Sequence, residues 1–173
     1  MNVNNIKELA LNRLRVVLAD DKFNTLFLRS FGWFKIPLLS YVRPTVEYLD
    51  HEKIDIRIPL RRRSKNHLGS MYFGAIMVGV DCAAGFYAAK LIYLKGYSID
   101  FVFKGTKAEF LRRPTGDVVF SCDQGIAINE LLETAYETFE RQELEMVVTC
   151  RCPDISDEVV AKASLILSVK RRK

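Results

Sequence analysis

Lys65-Asn-His-Leu-Gly-Ser-Met-Tyr-Phe-Gly-Ala-Ile-Met-Val-Gly-Val-Asp-Cys-Ala-Ala-Gly85 is the stretch from which the rest of the chain can be read. It passes from a glycine-containing loop into a segment that stays apolar, on nearly every face of a helical repeat, from Gly69 to roughly Leu94. Between Leu68 and Ala89 the one charge is Asp81. The length is nearly enough to cross a bilayer. Gly69, Gly74, Gly79 and Gly85 dilute the hydropathy, however, and an Asp at the centre of a span costs about 2.5–3.5 kcal/mol on insertion scales. The prediction is a buried central helix of a soluble domain, with no transmembrane segment. A helix apolar all round has to be enclosed by other elements.

Those elements follow from a change of period. Ile54, Ile56, Ile58 and Leu60 alternate with Asp55, Arg57 and Pro59, the signature of a half-buried strand. Beyond the apolar helix, Ile99, Phe101 and Phe103 alternate with polar neighbours, and Ala108 and Phe110 carry the pattern to a break at Pro114-Thr-Gly116. Val118, Phe120 and Cys122 form a further strand, and Asn129 to about Arg141 returns to helical spacing. Leu144, Met146, Val148 and Cys150 make one more strand; Ala161, Ala163, Leu165, Leu167 and Val169 make the last, after a turn at Pro153–Asp157. Short connections imply antiparallel pairing. The expected class is α+β, a curved antiparallel sheet wrapped around one long central helix and occupying residues 49–173.

Residues 1–48 are expected to form an N-terminal helical extension that packs on this core. Ile6, Leu9, Leu11, Leu14, Val17 and Leu18 recur at intervals of three or four and predict a helix over 5–30. Phe31 to Val42 follows as a bulky apolar stretch with Trp33 near its start. It can cover a hydrophobic cavity, touch a membrane surface, or simply pack on the domain.

Composition narrows the function classes. Apolar residues at 49% and charged residues at 27% are ordinary for a globular domain, so disorder is not expected. The net charge of +5 is concentrated in Arg61-Arg62-Arg63-Ser64-Lys65, Arg112-Arg113 and Lys170-Arg171-Arg172-Lys173. Such clusters suit phosphates, or are plain solvated surface. No nucleic-acid motif and no interleaving of aromatic and basic residues accompanies them, so a nucleic-acid partner is not expected. Cys82, Cys122, Cys150 and Cys152 do not form a disulfide framework, and with only His51 and His67 in the chain no zinc-ligand set is complete. Buried reduced thiols and a cytoplasmic location are expected. Glu8, Asp20 and Asp21 interrupt the start of the chain, and no apolar run of the signal-peptide kind is predicted there.

The chemistry concentrates in the opening stretch. Where the loop enters the helix, the N–H groups around Tyr72, Phe73 and Gly74 lack intrahelical acceptors and sit at the positive end of the helix dipole. Such a terminus holds an anion or stabilises a developing oxyanion. Asp81, about two turns inside, is an ionisable group in an apolar helix, and desolvation should raise its pKa unless an Arg or a backbone donor compensates.

At these residues the chain resembles a known family. Hot-dog-fold thioesterases of the phenylacetyl-CoA thioesterase type carry Asn-x-x-Gly-x-x-His-Gly-Gly, with an Asp or Glu nine residues after the His. Here Asn66-His-Leu-Gly69-Ser-Met-Tyr72-Phe73-Gly74 stands in that register, and Asp81 lies nine residues after Tyr72. Tyr72 replaces the usual His and Phe73 the first Gly. The resemblance covers about residues 50–170 and points to a poorly characterised branch with an additional N-terminal helical segment. It implies an α+β hot-dog domain, a homodimer or homotetramer, and hydrolysis of an acyl-CoA or acyl-carrier thioester, with coenzyme A as part of the substrate and no separate cofactor or metal. Phe73 and Gly74 would polarise the thioester carbonyl, and Asp81 would activate water or attack directly. Asn66 would orient water or carbonyl, and Tyr72 would be a further donor. Arg62, Arg63, Arg112 and Arg113 would meet coenzyme A phosphates, and Trp33 would cap the acyl tunnel. Phe73 and Asp81 are eight residues apart, about 12 Å along one helix, so they serve one thioester carbon only if they come from different subunits. The Tyr72 and Phe73 departures keep open a non-catalytic acyl-CoA binding or sensing protein on the same fold.

Overall fold

The computed structural model describes residues 21–172. Helices α1 (Asp21–Lys35) and α2 (Pro37–Val42) lead into strands β1 (Thr45–Leu49) and β2 (Ile54–Ile58). Then come α3 (Phe73–Lys95), β3 (Ile99–Phe110), β4 (Val118–Cys122), α4 (Gly125–Thr138), β5 (Gln142–Cys152) and β6 (Ser156–Arg171). The strands form one sheet of order β1-β2-β4-β5-β6-β3, with every neighbouring pair antiparallel.

The sheet exists because each strand offers one apolar face. Ile54, Ile56 and Ile58 of β2 are buried, and they stand opposite Cys122, Phe120 and Val118 of β4, buried too. Met146, Val148 and Cys150 of β5 continue that face into Leu165, Ala163 and Ala161 of β6. Against this face lies α3, with Ala83, Ala84, Ala88 and Leu91 fully buried. It touches β2, β4, β5 and β6, and the rings of Phe101 and Phe103 from β3 reach it at Gly85. The architecture is α+β and hot-dog: an antiparallel sheet around one long helix. Among the described residues α3 is the one helix long and apolar enough to cross a membrane, yet 78% of its most apolar window is buried inside this fold.

Two glycines fix how the helix sits. A Cβ on Gly79 would lie 2.3 Å from the buried Phe120 ring, so the helix approaches the sheet at that point more closely than an alanine allows. Gly96 ends α3 in the left-handed conformation, φ 64°, and its N–H bonds back to the Ile92 and Tyr93 carbonyls.

Two sequence expectations need correction. The sheet begins at Thr45, within the stretch assigned to the N-terminal extension, because a register shift between Val46 and Tyr48 breaks the alternation by which β1 would have been recognised. Helix α4 spans Gly125–Thr138 and not Asn129 to Arg141. Gly125 reads as a helix breaker but is required there, since a Cβ would stand 2.5 Å from the His51 carbonyl oxygen. The apolar stretch Phe31 to Val42 is the last turn of α1 followed by α2, with Pro37 at the start of α2, where its missing N–H costs nothing. Of the helix predicted over 5–30, residues 5–20, with Ile6 to Leu18, lie outside the described residues. Among the described residues the helix runs from Asp21 to Lys35. Leu28, Leu39 and Val42 bury it and α2 against the core, and the buried Lys90 ammonium of α3 donates to Asn24 Oδ1 of α1.

Candidate functional site

The loop before α3 is held by its own polar groups. Asn66 Oδ1 accepts the N–H of Leu68 at 2.9 Å and of Ser70 at 3.2 Å, while Asn66 Nδ2 donates to Ser70 Oγ at 3.1 Å. These bonds close a tight turn through Gly69, whose φ of 79° is left-handed. Asn66 therefore shapes the loop, with one N–H of its amide left over. The Met71 N–H donates to the Pro114 carbonyl at 2.9 Å and the Tyr72 N–H to the Ser64 carbonyl at 2.8 Å. Through these two bonds, Arg61-Arg62-Arg63 and Arg112-Arg113 are brought to the start of the helix.

The helix start itself is open. Its first intrahelical bond runs from the Ile76 N–H to the Tyr72 carbonyl, and no side chain caps the terminus. The N–H groups of Phe73, Gly74 and Ala75 have no acceptor among the described residues. Tyr72 and Phe73 are exposed, their rings in tilted contact at 4.8 Å. A Cβ on Gly74 would lie 2.5 Å from the Tyr72 ring, so glycine is what lets that ring fold over the first turn. Around this end, Arg63 donates to the Tyr41 carbonyl at 2.9 Å and Arg112 pairs with Glu158 at 2.8 Å. Arg62 and Arg113 are exposed and have no carboxylate partner among the described residues.

Asp81 sits in different surroundings. Its side chain faces a narrow apolar crevice of about 50 Å³, walled by Leu28, Phe31, Ile36, Leu39, Gly85 and Phe101. It makes no hydrogen bond or ion pair among the described residues, and burial alone pushes its carboxyl above the usual carboxylate range. Among the described residues no Arg and no backbone donor compensates it. Phe31, Ala89 and Phe101 also border an open groove of about 590 Å³ that continues along the same face of α3 to Gly96, Asp100 and Arg172. Gly85 and Ala89, small residues at i+4 and i+8 from Asp81, continue this face of the helix, with the Phe101 and Phe103 rings packed at Gly85.

The N-terminal helices thus supply walls of the crevice, but not through Trp33. Trp33 is 73% exposed and does not line the crevice, while Phe31, Leu39 and the partly exposed Ile36 border it. Leu28 and Phe31 went unrecognised as site residues. The spacing Asn24, Leu28, Phe31 was the available signal, since it places them on one helical face and Trp33 on another. The thiols are not alternative nucleophiles. All four are buried and unbonded, and burial pushes Cys122 up to about 11 and Cys150 up to about 12. Cys82, beside Asp81 in the crevice wall, is raised as well. Among the described residues no three His, Cys, Asp or Glu side chains gather as metal ligands.

The two stations, helix start and carboxylate, lie on one unbroken helix about 12 Å apart. Within a single chain they cannot meet at one carbon atom.

The family model described as Domain of unknown function (DUF4442) matches residues 24–169. No curated protein matches the chain by sequence. Solved structures share its shape. A protein from Shewanella oneidensis, provisionally described as a thioesterase, is 13% identical with a TM-score of 0.72, over 87% of this chain and 99% of that one. A protein of unknown function from Pseudomonas aeruginosa, provisionally described as a thioesterase, is 21% identical with a TM-score of 0.67, over 86% and 96%. A protein of unknown function from Chlorobaculum tepidum is 13% identical with a TM-score of 0.73, over 90% and 98%. At these identities the likeness is one of fold.

Proposed function

The chain belongs to the DUF4442 family, and from the two stations on its central helix we propose that it hydrolyses acyl thioesters, of coenzyme A or an acyl carrier, at a site composed by two protomers. The observation that carries this reading is Asp81: a carboxylate without a partner among the described residues, raised by burial, in an apolar crevice that shares Phe31, Ala89 and Phe101 with an adjoining groove. A carboxylate so tuned is a better base near neutral pH than an exposed one. The provisional thioesterase descriptions of the Shewanella and Pseudomonas proteins of like fold agree with it.

In the proposed step the acyl chain lies in the groove along Gly85 and Ala89, between Phe31 and Phe101. Asp81 takes a proton from water as the water oxygen bonds to the thioester carbon. The carbonyl oxygen, now negative, is held by the N–H groups of Phe73 and Gly74 of the other protomer. As the carbonyl re-forms, the carbon–sulfur bond breaks and the thiolate leaves with the proton that Asp81 returns. The products are a carboxylic acid and a thiol. Arg62 and Arg113, free of carboxylate partners near the helix start, are the residues suited to phosphates of coenzyme A. Strand β3 supports the two-protomer arrangement: among the described residues it is a twelve-residue edge strand with one side unpaired, and a second copy beside it would extend the sheet.

The test is hydrolysis of acyl-CoAs of graded length by the wild type and by Asp81→Asn, with sedimentation run at the assay concentration. Turnover by the wild type, lost in the variant, together with a dimer or larger species, is the expected result. Full activity in the variant, or in a monomer, overturns it. A second reading rests on Phe73, whose side chain is 57% exposed at the helix start where the related motif has glycine. It makes the protein a non-catalytic acyl-CoA binder, and tight binding with no turnover in the wild type is its mark.

A further inference from the structure

Helices α1 and α2 have a second apolar face. Leu28, Phe31 and Leu39 look inward, but Leu26, Trp33 and Phe34 project from the opposite side of α1, and Leu38 and Tyr41 from α2. Phe34 is 80% exposed, and Leu26 65%. Scattered exposed apolar residues are ordinary; a contiguous set on two consecutive helices marks an interaction site.

The charges around this face select its partner. Between Asp21 and Glu47 the chain holds no acidic residue, and it holds the cations Lys22, Arg29, Lys35 and Arg43. All four are exposed. Arg29 is spent on uncharged acceptors, the Pro44 carbonyl at 2.9 Å and Thr45 Oγ1 at 3.0 Å. The basic loop at Arg61–Arg63 adjoins the same face: Arg63 bonds to the Tyr41 carbonyl and lies 5.3 Å over the Tyr41 ring. Elsewhere in the fold comparable cations are matched by carboxylates, as in Lys53–Asp55, Lys95–Glu133, Lys104–Glu143 and Arg172–Asp100. Here, among the described residues, none is.

From exposed Trp, Phe and Leu side chains on a segment whose charges between Asp21 and Glu47 are all cationic, we propose that α1–α2 docks on an anionic membrane surface, apolar side chains in the interface and cations at the headgroups. An interfacial helix needs an apolar face, aromatic residues at the boundary and flanking Lys or Arg, and this segment has all of them. Because the opposite face of the same helices walls the Asp81 crevice, docking would set that crevice close to the bilayer. A second copy seated on this face would face the same cations with its own, which is why the negatively charged surface is the better complement.

Trp33 is the one tryptophan in the chain, so the full-length protein carries its own reporter. Its emission and co-sedimentation would be followed with vesicles of phosphatidylglycerol and phosphatidylcholine, of phosphatidylcholine alone, and with soluble glycerol phosphate. The expected result is a blue shift and co-sedimentation with the anionic vesicles only, weakened by salt. Lys35→Gln should lower the vesicle partition coefficient about fivefold, ~1 kcal/mol per cation near an anionic surface, and Phe34→Ser about tenfold, with far-ultraviolet circular dichroism unchanged. No shift and no sedimentation with either vesicle overturns the proposal. So does a Trp33 already shielded in vesicle-free solution at concentrations where the protein self-associates, which would assign the face to a second copy. Equal binding to both vesicle types removes the role of the cations and overturns it too, and quenching by glycerol phosphate alone would reassign the site to a free phosphate.

Discussion

The start and the middle of helix α3 are opposites in the same rod. At the start, three N–H groups stand without acceptors among the described residues, near water, among arginines. At Asp81 a single carboxylate stands without donors among the described residues, half-buried against an apolar wall. Each is an unfinished polar site, and unfinished polar groups are costly where water is excluded. The helix start has solvent to satisfy it and costs little. Asp81 is half-buried against the crevice wall, and among the described residues no neighbour offers a structural return for its desolvation. The difference teaches which station to question first: the buried one is where chemistry has the stronger claim.

Asp81→Asn breaks the comparison most severely. It should lower kcat/KM for thioesters by about 10²–10⁴, the usual contribution of a general base. The same variant should gain stability near neutral pH. A carboxyl raised by folding keeps its proton in the folded state at pH values where the unfolded chain has already lost it. Stability is therefore greatest below the ordinary carboxylate range and declines as pH climbs through that range to the raised value. The amide variant lacks this decline. Melting curves at pH 4 and pH 7 should show the wild type losing more between them than the variant; equal losses would mean Asp81 is compensated in solution.

Gly79 lies between the two stations and holds them to the sheet. Gly79→Ala forces a methyl group against Phe120, and overpacking of this kind costs about 1–3 kcal/mol. Thermal melts should fall by several degrees, with Asp81 and the helix start still in register. An unchanged melting temperature would mean the helix has slack against the sheet.

At the start of α3 the effects should be smaller. If the Tyr72 hydroxyl donates to the carbonyl, Tyr72→Phe should lower kcat about fivefold, the worth of one net hydrogen bond of ~1 kcal/mol; no change returns the ring to its packing against Phe73 and Gly74. Smallest of all, Arg113→Gln should raise KM for acyl-CoA about two- to fivefold with kcat kept, as expected for an exposed phosphate contact. Arg112→Gln should do less, because Arg112 is already engaged by Glu158.

Much of this was legible in the residues, for physical reasons that differ by region. The central helix declared itself because no face of it tolerates water, and β2, β4, β5 and β6 because burial on one side enforces period two. Strand β1 stayed hidden because its bulge breaks that period. The start of α4 stayed hidden because Gly125 serves a close contact that overrides helix propensity, and its end because Phe139 takes the left-handed conformation, φ 61°, which few non-glycine residues adopt. Within the site, Asp81 was legible as an isolated charge. Its walls were not, because which residue of Phe31 to Ile36 faces inward depends on where α1 packs. The apolar bulk of that segment pointed to Trp33, whereas the geometry chose Phe31 and Ile36.

The four buried thiols have a use that none of this chemistry requires. A thiol-reactive reagent meets no exposed sulfur on the folded chain, so modification waits for the structure to part and its rate records how often that happens. Cys82 belongs to the crevice wall, whereas Cys122, Cys150 and Cys152 belong to strands inside the sheet. If α1 and α2 lift away by themselves, Cys82 should be alkylated well before the other three; if the domain opens only as a whole, all four should react together. Cysteine labelling followed by mass spectrometry thus provides a clock, native to the sequence, for separating the breathing of one wall from the unfolding of the entire domain.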